Sequence, residues 1–299
     1  MSITAIAPYK YDGLNFKDKA FNGWKNANFP FTNGFYPRIL HSILFRYDIF
    51  PTLRKKETRL IFVQPVSLYF DASISVLSHN VIPYIWDCWP CYYDKLERWL
   101  TKHKVEIAVF SSDQERKEIQ KRLPQLKTIH CPEAIDTSAY QKGKDLQSRP
   151  TDVIEFGRNN NIITGLDKKE KIRYINTSLY SERPSDEKFA ELLANAKIAI
   201  CFPKSITHPN IAQGVETLTQ RFWEAMVSRC VPWGHCPKEL SDLIGYNPVI
   251  EYKDENQLDE MLCNIERYQS LVDRNHETAI RIGDWNKRMQ YLHDEICIL

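Results

Sequence analysis

The feature of this sequence that most limits its possible folds is the alternation of strand-like and helix-like segments, which occurs in two runs. Short apolar segments rich in Ile, Val and Phe alternate with helix-like segments across residues 59–129 and again across 152–267. Strands alternating with helices predict mainly parallel sheets covered by helices on both faces. The polar stretch 136–150 separates the two runs and is typical of an interdomain linker. We therefore predict an α/β protein of two Rossmann-like domains with a cleft between them.

The total length of 299 residues is sufficient for two such domains. We predict an N-terminal domain over residues 1–145, a C-terminal domain over 146–282, and a C-terminal helix over 283–299 that packs back on the first domain. The first fifty residues have a weaker pattern, in which residues 39–50 predict a helix with a rough apolar face.

Charge and composition exclude several classes of protein. A net charge of +2 gives no basic field for a nucleic-acid partner. The N-terminus lacks the features of a signal peptide, the apolar stretches are too short to span a bilayer, and the eight cysteines are scattered, so we expect a soluble cytoplasmic protein. The cluster Arg54-Lys55-Lys56 with Arg59 has two interpretations, a solvated loop, which is favoured, or a peripheral contact with the inner membrane face.

The segment from Glu216 to Glu224 places two carboxylates eight positions apart, and the pattern predicts a helix over residues 216–229. A carboxylate can accept two hydroxyl groups, which suits a ribose diol or a sugar ring, and the amides of a helix N-terminus favour a diphosphate. If Glu216 lies in the loop before the helix, both carboxylates can face one ligand. The spacing alone fits equally well with a solvated helix face.

Three landmarks in order make the sequence resemble the retaining GT-B glycosyltransferases of the family-4-like group. Cys131–Tyr140 is similar to that family's interdomain segment, Ile154–Arg158 is similar to its strand ending in Gly-Arg, and Phe202–Pro232 is similar to its strand, Pro-Ser loop and E-x7-E helix. The resemblance covers roughly residues 81–270. It implies a GT-B fold and transfer of a sugar from a nucleotide-diphosphate donor.

The resemblance also implies roles for individual residues. Glu224 would hold the ribose hydroxyls, Glu216 would contact the donor sugar, and Arg158, next to Gly157, would bind the diphosphate. The family's Lys about five residues after that Arg is absent here. Arg221, between the two glutamates, is our favoured second phosphate ligand, and Lys204 is the alternative.

In the N-terminal block, Asp87 follows a predicted strand at a point where the family carries a polar residue facing the cleft. This position predicts a contact with the acceptor or with the transferred sugar, so Asp87 joins Glu216 as a candidate catalytic residue. The other interpretation is a turn-forming Asp that precedes a proline.

Cys88 and Cys91 form a C-x-x-C pair between a predicted strand and a helix, as in thioredoxin-like folds. The long βα series around the pair makes a thiol redox protein the minor alternative. The chain has no D-x-D motif, no P-loop and no G-x-G-x-x-G, so we expect no metal and no cofactor beyond the substrate.

The sequence thus predicts a retaining, metal-independent glycosyltransferase that uses a UDP- or GDP-sugar and a glycan, polysaccharide or lipid-linked acceptor. The alternative from another class is a GT-B-like protein without catalysis that binds a nucleotide or a glycan. The donor sugar, the linkage and the oligomeric state do not follow from the sequence.

Overall fold

The computed structural model describes residues 2–10, 16–47, 55–72, 74–157, 162–254 and 256–299. The chain forms two compact units. The first consists of Met1–Glu133, Ile211–Val215 and Trp285–Leu299, and the second of Ala134–Asn210 and Glu216–Asp284. The second unit begins before residue 146 because the segment after Glu133 packs on it. Arg149 donates from Nη1 to the Ala196 carbonyl at 2.7 Å, and Arg229 donates to the Gly143 carbonyl at 2.7 Å.

A wholly parallel sheet forms the centre of the first unit. Its order is β2-β1-β3-β4-β5-β6. Central strands of a parallel sheet are buried on both faces, and this explains their continuous apolar runs. The strands are β1 (Ile3–Ile6), β2 (Phe31–Thr32), β3 (Lys55–Val63), β4 (His79–Ile85), β5 (Ile107–Phe110) and β6 (Lys127–His130).

Helices cover this sheet, and the C-terminal helix is one of them. That helix approaches the first helix so closely that a Cβ at Gly23 would lie 2.7 Å from the Trp285 carbonyl oxygen. The helices of this unit are α1 (Phe16–Asn26), α2 (Arg38–Arg46), α3 (Leu68–Asp71), α4 (Tyr93–Lys102), α5 (Asp113–Arg122) and α13 (Trp285–Ile298).

The second unit has its own parallel sheet, in the order β11-β10-β9-β7-β8. Its strands are β7 (Thr151–Glu155), β8 (Tyr174–Asn176), β9 (Ala196–Cys201), β10 (Val231–Gly234) and β11 (Ile250–Glu251). Between and after them come α6 (Asp186–Ala194), α7 (Lys204–Thr207), α8 (Pro209–Ala212), α9 (Gln220–Val227), α10 (Lys238–Ile244), α11 (Gln257–Cys263) and α12 (Gln269–Ile282).

The prediction of an α/β protein with parallel sheets is confirmed, whereas two predicted helices have wrong bounds. The helix predicted over 216–229 begins only at Gln220, because the Lys238 amide and the Glu239 carboxylate of α10 anchor the preceding segment. The helix predicted over 39–50 spans Arg38–Arg46 and ends before Tyr47, and residues 48–50 of that prediction lie outside the described residues. No helix in the described ranges combines the length and the apolar character that a bilayer span requires.

Candidate functional site

The point where the strand order of the second sheet reverses lies between β7 and β9. From β7 the chain passes to β8 on one side, and β9 then pairs with β7 on the other side. In open parallel sheets, ligands bind in the crevice beyond the carboxyl ends of the strands at such a switch point. Gly157 follows β7, and Phe202 follows β9, so these residues border the crevice.

Arg221 occupies this switch point. Its Nη1 donates to the Phe202 carbonyl at 3.3 Å, and its guanidinium lies 5.7 Å from the centre of the Phe156 ring. Thus one side chain contacts the ends of both strands. A half-buried guanidinium with five donors is well suited to bind an anion there.

Gly157 makes room for this arginine. Its φ is +75°, a left-handed conformation that side chains rarely adopt, and an added Cβ would lie 2.7 Å from Arg221 Nη2. A glycine is therefore required both by the backbone and by the position of the guanidinium.

The N-terminus of α9 lies next to Arg221 in the chain and offers more donors. Its N-cap, Thr219, makes no side-chain capping hydrogen bond. Gln220 Nε2 and Ser205 Oγ are buried atoms that have no hydrogen-bond partner among the described residues. Unsatisfied buried donors and the first amides of a helix form a typical anion-binding arrangement.

Glu216 lies in the extended segment before α9. Its Oε1 is 2.9 Å from His235 Nε2, and its Oε2 accepts from the Lys238 amide at 2.8 Å, at the start of α10. The Leu218 amide donates to Glu239 at 2.9 Å, which anchors the same segment to α10. These contacts explain why the helix does not extend back to Glu216.

His235 is held between two carboxylates at the end of β10. Its Nδ1 is 3.0 Å from Glu251 Oε2, opposite the contact of Nε2 with Glu216. Partial burial alone would lower the pKa of His235, but the hydrogen bonds and charges of Glu251 and Glu216 raise it above its usual value. The preceding residue, Gly234, packs so closely on β9 that a Cβ there would lie 2.0 Å from the Cys201 carbonyl oxygen.

Glu224 lies on α9 and is half-buried. Tyr140 donates its hydroxyl to Glu224 Oε1 at 2.8 Å. Burial, and then the charge of Glu224, raise the pKa of Tyr140 far above its usual value, so the phenol remains a donor. A carboxylate has about four lone-pair positions and can accept further hydroxyl groups beside Tyr140.

The structure brings some of the predicted residues together and separates others. Gly157 and Arg221 are in contact, and Lys204 begins α7 directly after β9, half-buried. Arg158 lies outside the described residues. Asp87 belongs to the first unit, so it is described separately.

Asp87 follows β4 with a φ of +53°, an uncommon conformation for a residue other than glycine. Its Oδ2 accepts from Gln64 Nε2 at 2.7 Å. The Gln64 amide donates to Asp71 Oδ2 at 2.9 Å, and Asp71 forms a buried ion pair with Lys17 at 2.5 Å. The carboxylate of Asp87 is therefore fixed at the carboxyl edge of the first sheet.

The cysteine pair does not have the properties of a thioredoxin-like site. Cys88 is completely buried, and this burial raises the pKa of its thiol well above the usual value. A redox cysteine needs a lowered pKa so that the thiolate is available. Cys91 is exposed, and all eight cysteines of the chain are free thiols.

Several residues of this site were not identified by sequence reasoning. His235 is not among the predicted site residues, and Tyr140 was noted only as the end of the interdomain segment. Gln220 carried no signal, because its unpaired amide becomes meaningful only when burial is known.

Comparison with protein-family models gives no match, and no curated protein matches in sequence. Solved structures match over nearly the whole chain. AviGT4, a glycosyltransferase involved in avilamycin A biosynthesis, has a TM-score of 0.57 and 11% identity over 98% of this chain and 96% of its own. Anabaena HepE, in complex with UDP and glucose, has a TM-score of 0.58 and 9% identity over 99% of both chains.

Sucrose-phosphate synthase from Thermosynechococcus elongatus has a TM-score of 0.51 and 11% identity over 96% of this chain and 79% of its own. At identities this low, the similarity concerns the fold. The two parallel sheets and these glycosyltransferase neighbours agree, and the chain has the GT-B fold.

Proposed function

We propose that this protein transfers a sugar from a nucleotide-diphosphate sugar to a hydroxyl acceptor. The observation that carries the proposal is the position of Arg221, which contacts the residues following β7 and β9 at the switch point of the second sheet. A half-buried cation, the amides of α9 and the unpaired donors of Ser205 and Gln220 are suited to a diphosphate. The structural neighbour HepE, which is in complex with UDP, supports the same ligand class.

Each candidate residue then has a chemical role. Glu224 accepts hydrogen bonds from the ribose hydroxyls, beside its contact with Tyr140. Arg221 binds the diphosphate, with Lys204 and Arg158 as further cations. Glu216, held in place by its bonds to His235 and to the Lys238 amide, contacts the donor sugar.

In the reaction, the bond between the anomeric carbon and the phosphate oxygen breaks, and the acceptor hydroxyl oxygen forms the new bond. The acceptor hydroxyl attacks from the face that the diphosphate leaves, so the anomeric configuration is retained, and its proton passes to the departing diphosphate. Arg221 stabilises the negative charge that builds on the leaving group, without a metal ion. Asp87, fixed by Gln64, contacts the acceptor or the transferred sugar.

The proposal includes the finer features expected from the sequence. The donor is a UDP- or GDP-hexose, bound by the second unit, and the acceptor is a glycan, a polysaccharide or a lipid-linked sugar, bound by the first unit. The retaining mechanism and the family-4-like subclass rest on the E-x7-E segment and its ordered landmarks. Eight free thiols are compatible with a reducing cytoplasm.

A thermal-shift screen with UDP, GDP, ADP and CMP and their sugars tests the proposal. A ligand that binds only the folded state raises its stability by about 2.7 kcal/mol at a concentration of 100 times its Kd. We expect the shift to shrink in Glu224→Gln and to persist in Glu277→Gln, which changes an exposed helical glutamate far along the chain. Wild type should also prefer UDP or GDP over the corresponding 2′,3′-dideoxynucleotide, and Glu224→Gln should not.

Turnover separates the two remaining interpretations. Release of the nucleotide diphosphate in the presence of an acceptor supports the enzyme. Binding of a nucleotide without turnover of any donor supports the non-catalytic alternative. If no nucleotide stabilises the folded chain, the assignment of the Arg221 site is wrong.

A further inference from the structure

Helix α2 exposes a stripe of large apolar side chains. Ile39, Ile43 and Tyr47 follow one another at intervals of four residues, and Leu40 lies beside them. Their exposed fractions are 77%, 45%, 66% and 44%, respectively. These four residues are called the α2 face below. Contiguous exposed apolar side chains typically mark a surface that binds a partner or a membrane.

Packing of the opposite side keeps this face in water. His41 and Phe45 are buried, with ring centres 5.8 Å and 5.1 Å from that of Tyr69 on α3. The His41 ring also stacks on His103 at 5.4 Å. Because these contacts fix the rotation of the helix, the α2 face cannot turn inward.

The charged residues within 31–47 are basic, and the next acidic residue along the chain is Asp48. Between Phe31 and Tyr47 the sequence contains two arginines and no acidic residue, and Arg46 is exposed. Burial lowers the pKa of His41 to about 4, so His41 adds no charge at neutral pH.

Helix α4, which packs behind α2, adds further cations. The guanidinium of Arg98 lies 5.3 Å from the centre of the Phe45 ring, and Lys102 Nζ lies 5.0 Å from it. The acidic residues of α4 are Asp94 and Glu97, and both pair with Arg122 on α5. Helices α2 and α4 together contain five basic and two acidic residues, an excess of three positive charges.

We propose that α2 docks on the surface of an anionic lipid bilayer. The α2 face enters the boundary between headgroups and acyl chains, and the exposed Arg46 contacts the anionic headgroups. The net positive charge of α2 and α4 adds longer-range attraction to an anionic surface. A helix with an apolar face and basic flanks binds in this way, by burial of apolar area and by attraction to anionic lipid. This docking does not depend on the sugar-transfer function proposed above.

Co-sedimentation of the full chain with vesicles tests the proposal. Wild type should bind phosphatidylcholine vesicles that contain phosphatidylglycerol, and binding should weaken as ionic strength rises. In Ile39→Glu/Ile43→Glu, the partition coefficient should fall about tenfold or more, since two charged side chains replace the apolar contacts. The matched control is Ile280→Glu, which alters a similarly exposed isoleucine, 42% against 45% for Ile43, on α12 of the second unit.

Three results would overturn the assignment to lipid. The first is no binding of wild type to anionic vesicles, and the second is equal binding by the double variant. The third is a wild-type dimer in light scattering that becomes a monomer in the double variant, which would assign the α2 face to a second copy of the chain. Nucleotide binding by the double variant, measured without vesicles, shows whether the variant is folded. Nucleotide binding by wild type tests the proposed function independently of the lipid.

Discussion

Gly157 permits a left-handed backbone conformation and also leaves space for the Arg221 guanidinium. Replacing it with alanine should affect stability through the first and ligand binding through the second. At a φ of +75° the new side chain costs about 1–2 kcal/mol in backbone strain. The Cβ would also lie 2.7 Å from Arg221 Nη2. Because the end of an arginine side chain moves easily, the guanidinium is displaced at little further cost in stability. The loss of its charged hydrogen bonds should weaken UDP binding about 10- to 100-fold.

Gly245→Ala is the matched control, since Gly245 has a φ of +79° and no atom within 4 Å of its Cβ position. Thermal unfolding should show a similar fall for both variants, about 2–8 °C. Calorimetric titration with UDP should show weaker binding only for Gly157→Ala, and the double variant Gly157→Ala/Arg221→Ala should bind no worse than Arg221→Ala alone. The reasoning is refuted if Gly157→Ala binds UDP as tightly as wild type does, or if Gly245→Ala loses as much UDP affinity as Gly157→Ala.

Three further predictions concern titratable groups. In Glu216→Gln the pKa of His235 should fall, which NMR titration of the imidazole protons measures; an unchanged pKa would contradict the pairing. Burial lowers the pKa of His41 from 6.5 to about 4, so the unfolded state gains a proton first as pH falls, and up to about 3 kcal/mol of stability is lost between those values. Denaturant unfolding of wild type and His41→Leu at pH 7 and pH 4 should show a smaller loss in the variant. Asp71→Asn should cost about 3–5 kcal/mol because it removes the carboxylate that pairs with the buried Lys17. Replacing both residues by apolar ones should cost less in the same unfolding assay.

Much of the fold could be predicted from local patterns. The apolar runs of β4, β5 and β9 indicated strands buried on both faces, and parallel pairing followed from the helical segments between them. Ser185-Asp186-Glu187 is a typical start of a helix, and in α6 Ser185 Oγ accepts from the Lys188 amide at 3.2 Å. β1 and α1 were not predicted, because a strand of four residues and a helix with interspersed aromatic and charged residues give weak periodicity.

Less of the candidate site could be predicted. The E-x7-E segment gave the identities of Glu216, Arg221 and Glu224, but not the start of the helix between them. That start depends on the Lys238 amide and on Glu239, which come from α10. The place of His235 between two carboxylates likewise depends on the pairing of β10 with β11.

The sequence by itself determined that this protein forms two parallel β-sheets covered by helices. The reason is that the apolar periodicity of a strand or a helix is a local property of consecutive residues. Only the tertiary structure decided which side chains meet beyond the strand ends. Arg221 reaches Gly157 because β9 pairs with β7, so that segments far apart in the chain become neighbours at the switch point. The exposure of the α2 face was decided in the same way, since Ile39 and Phe45 are both apolar, and only packing against Tyr69 determines which of them is buried.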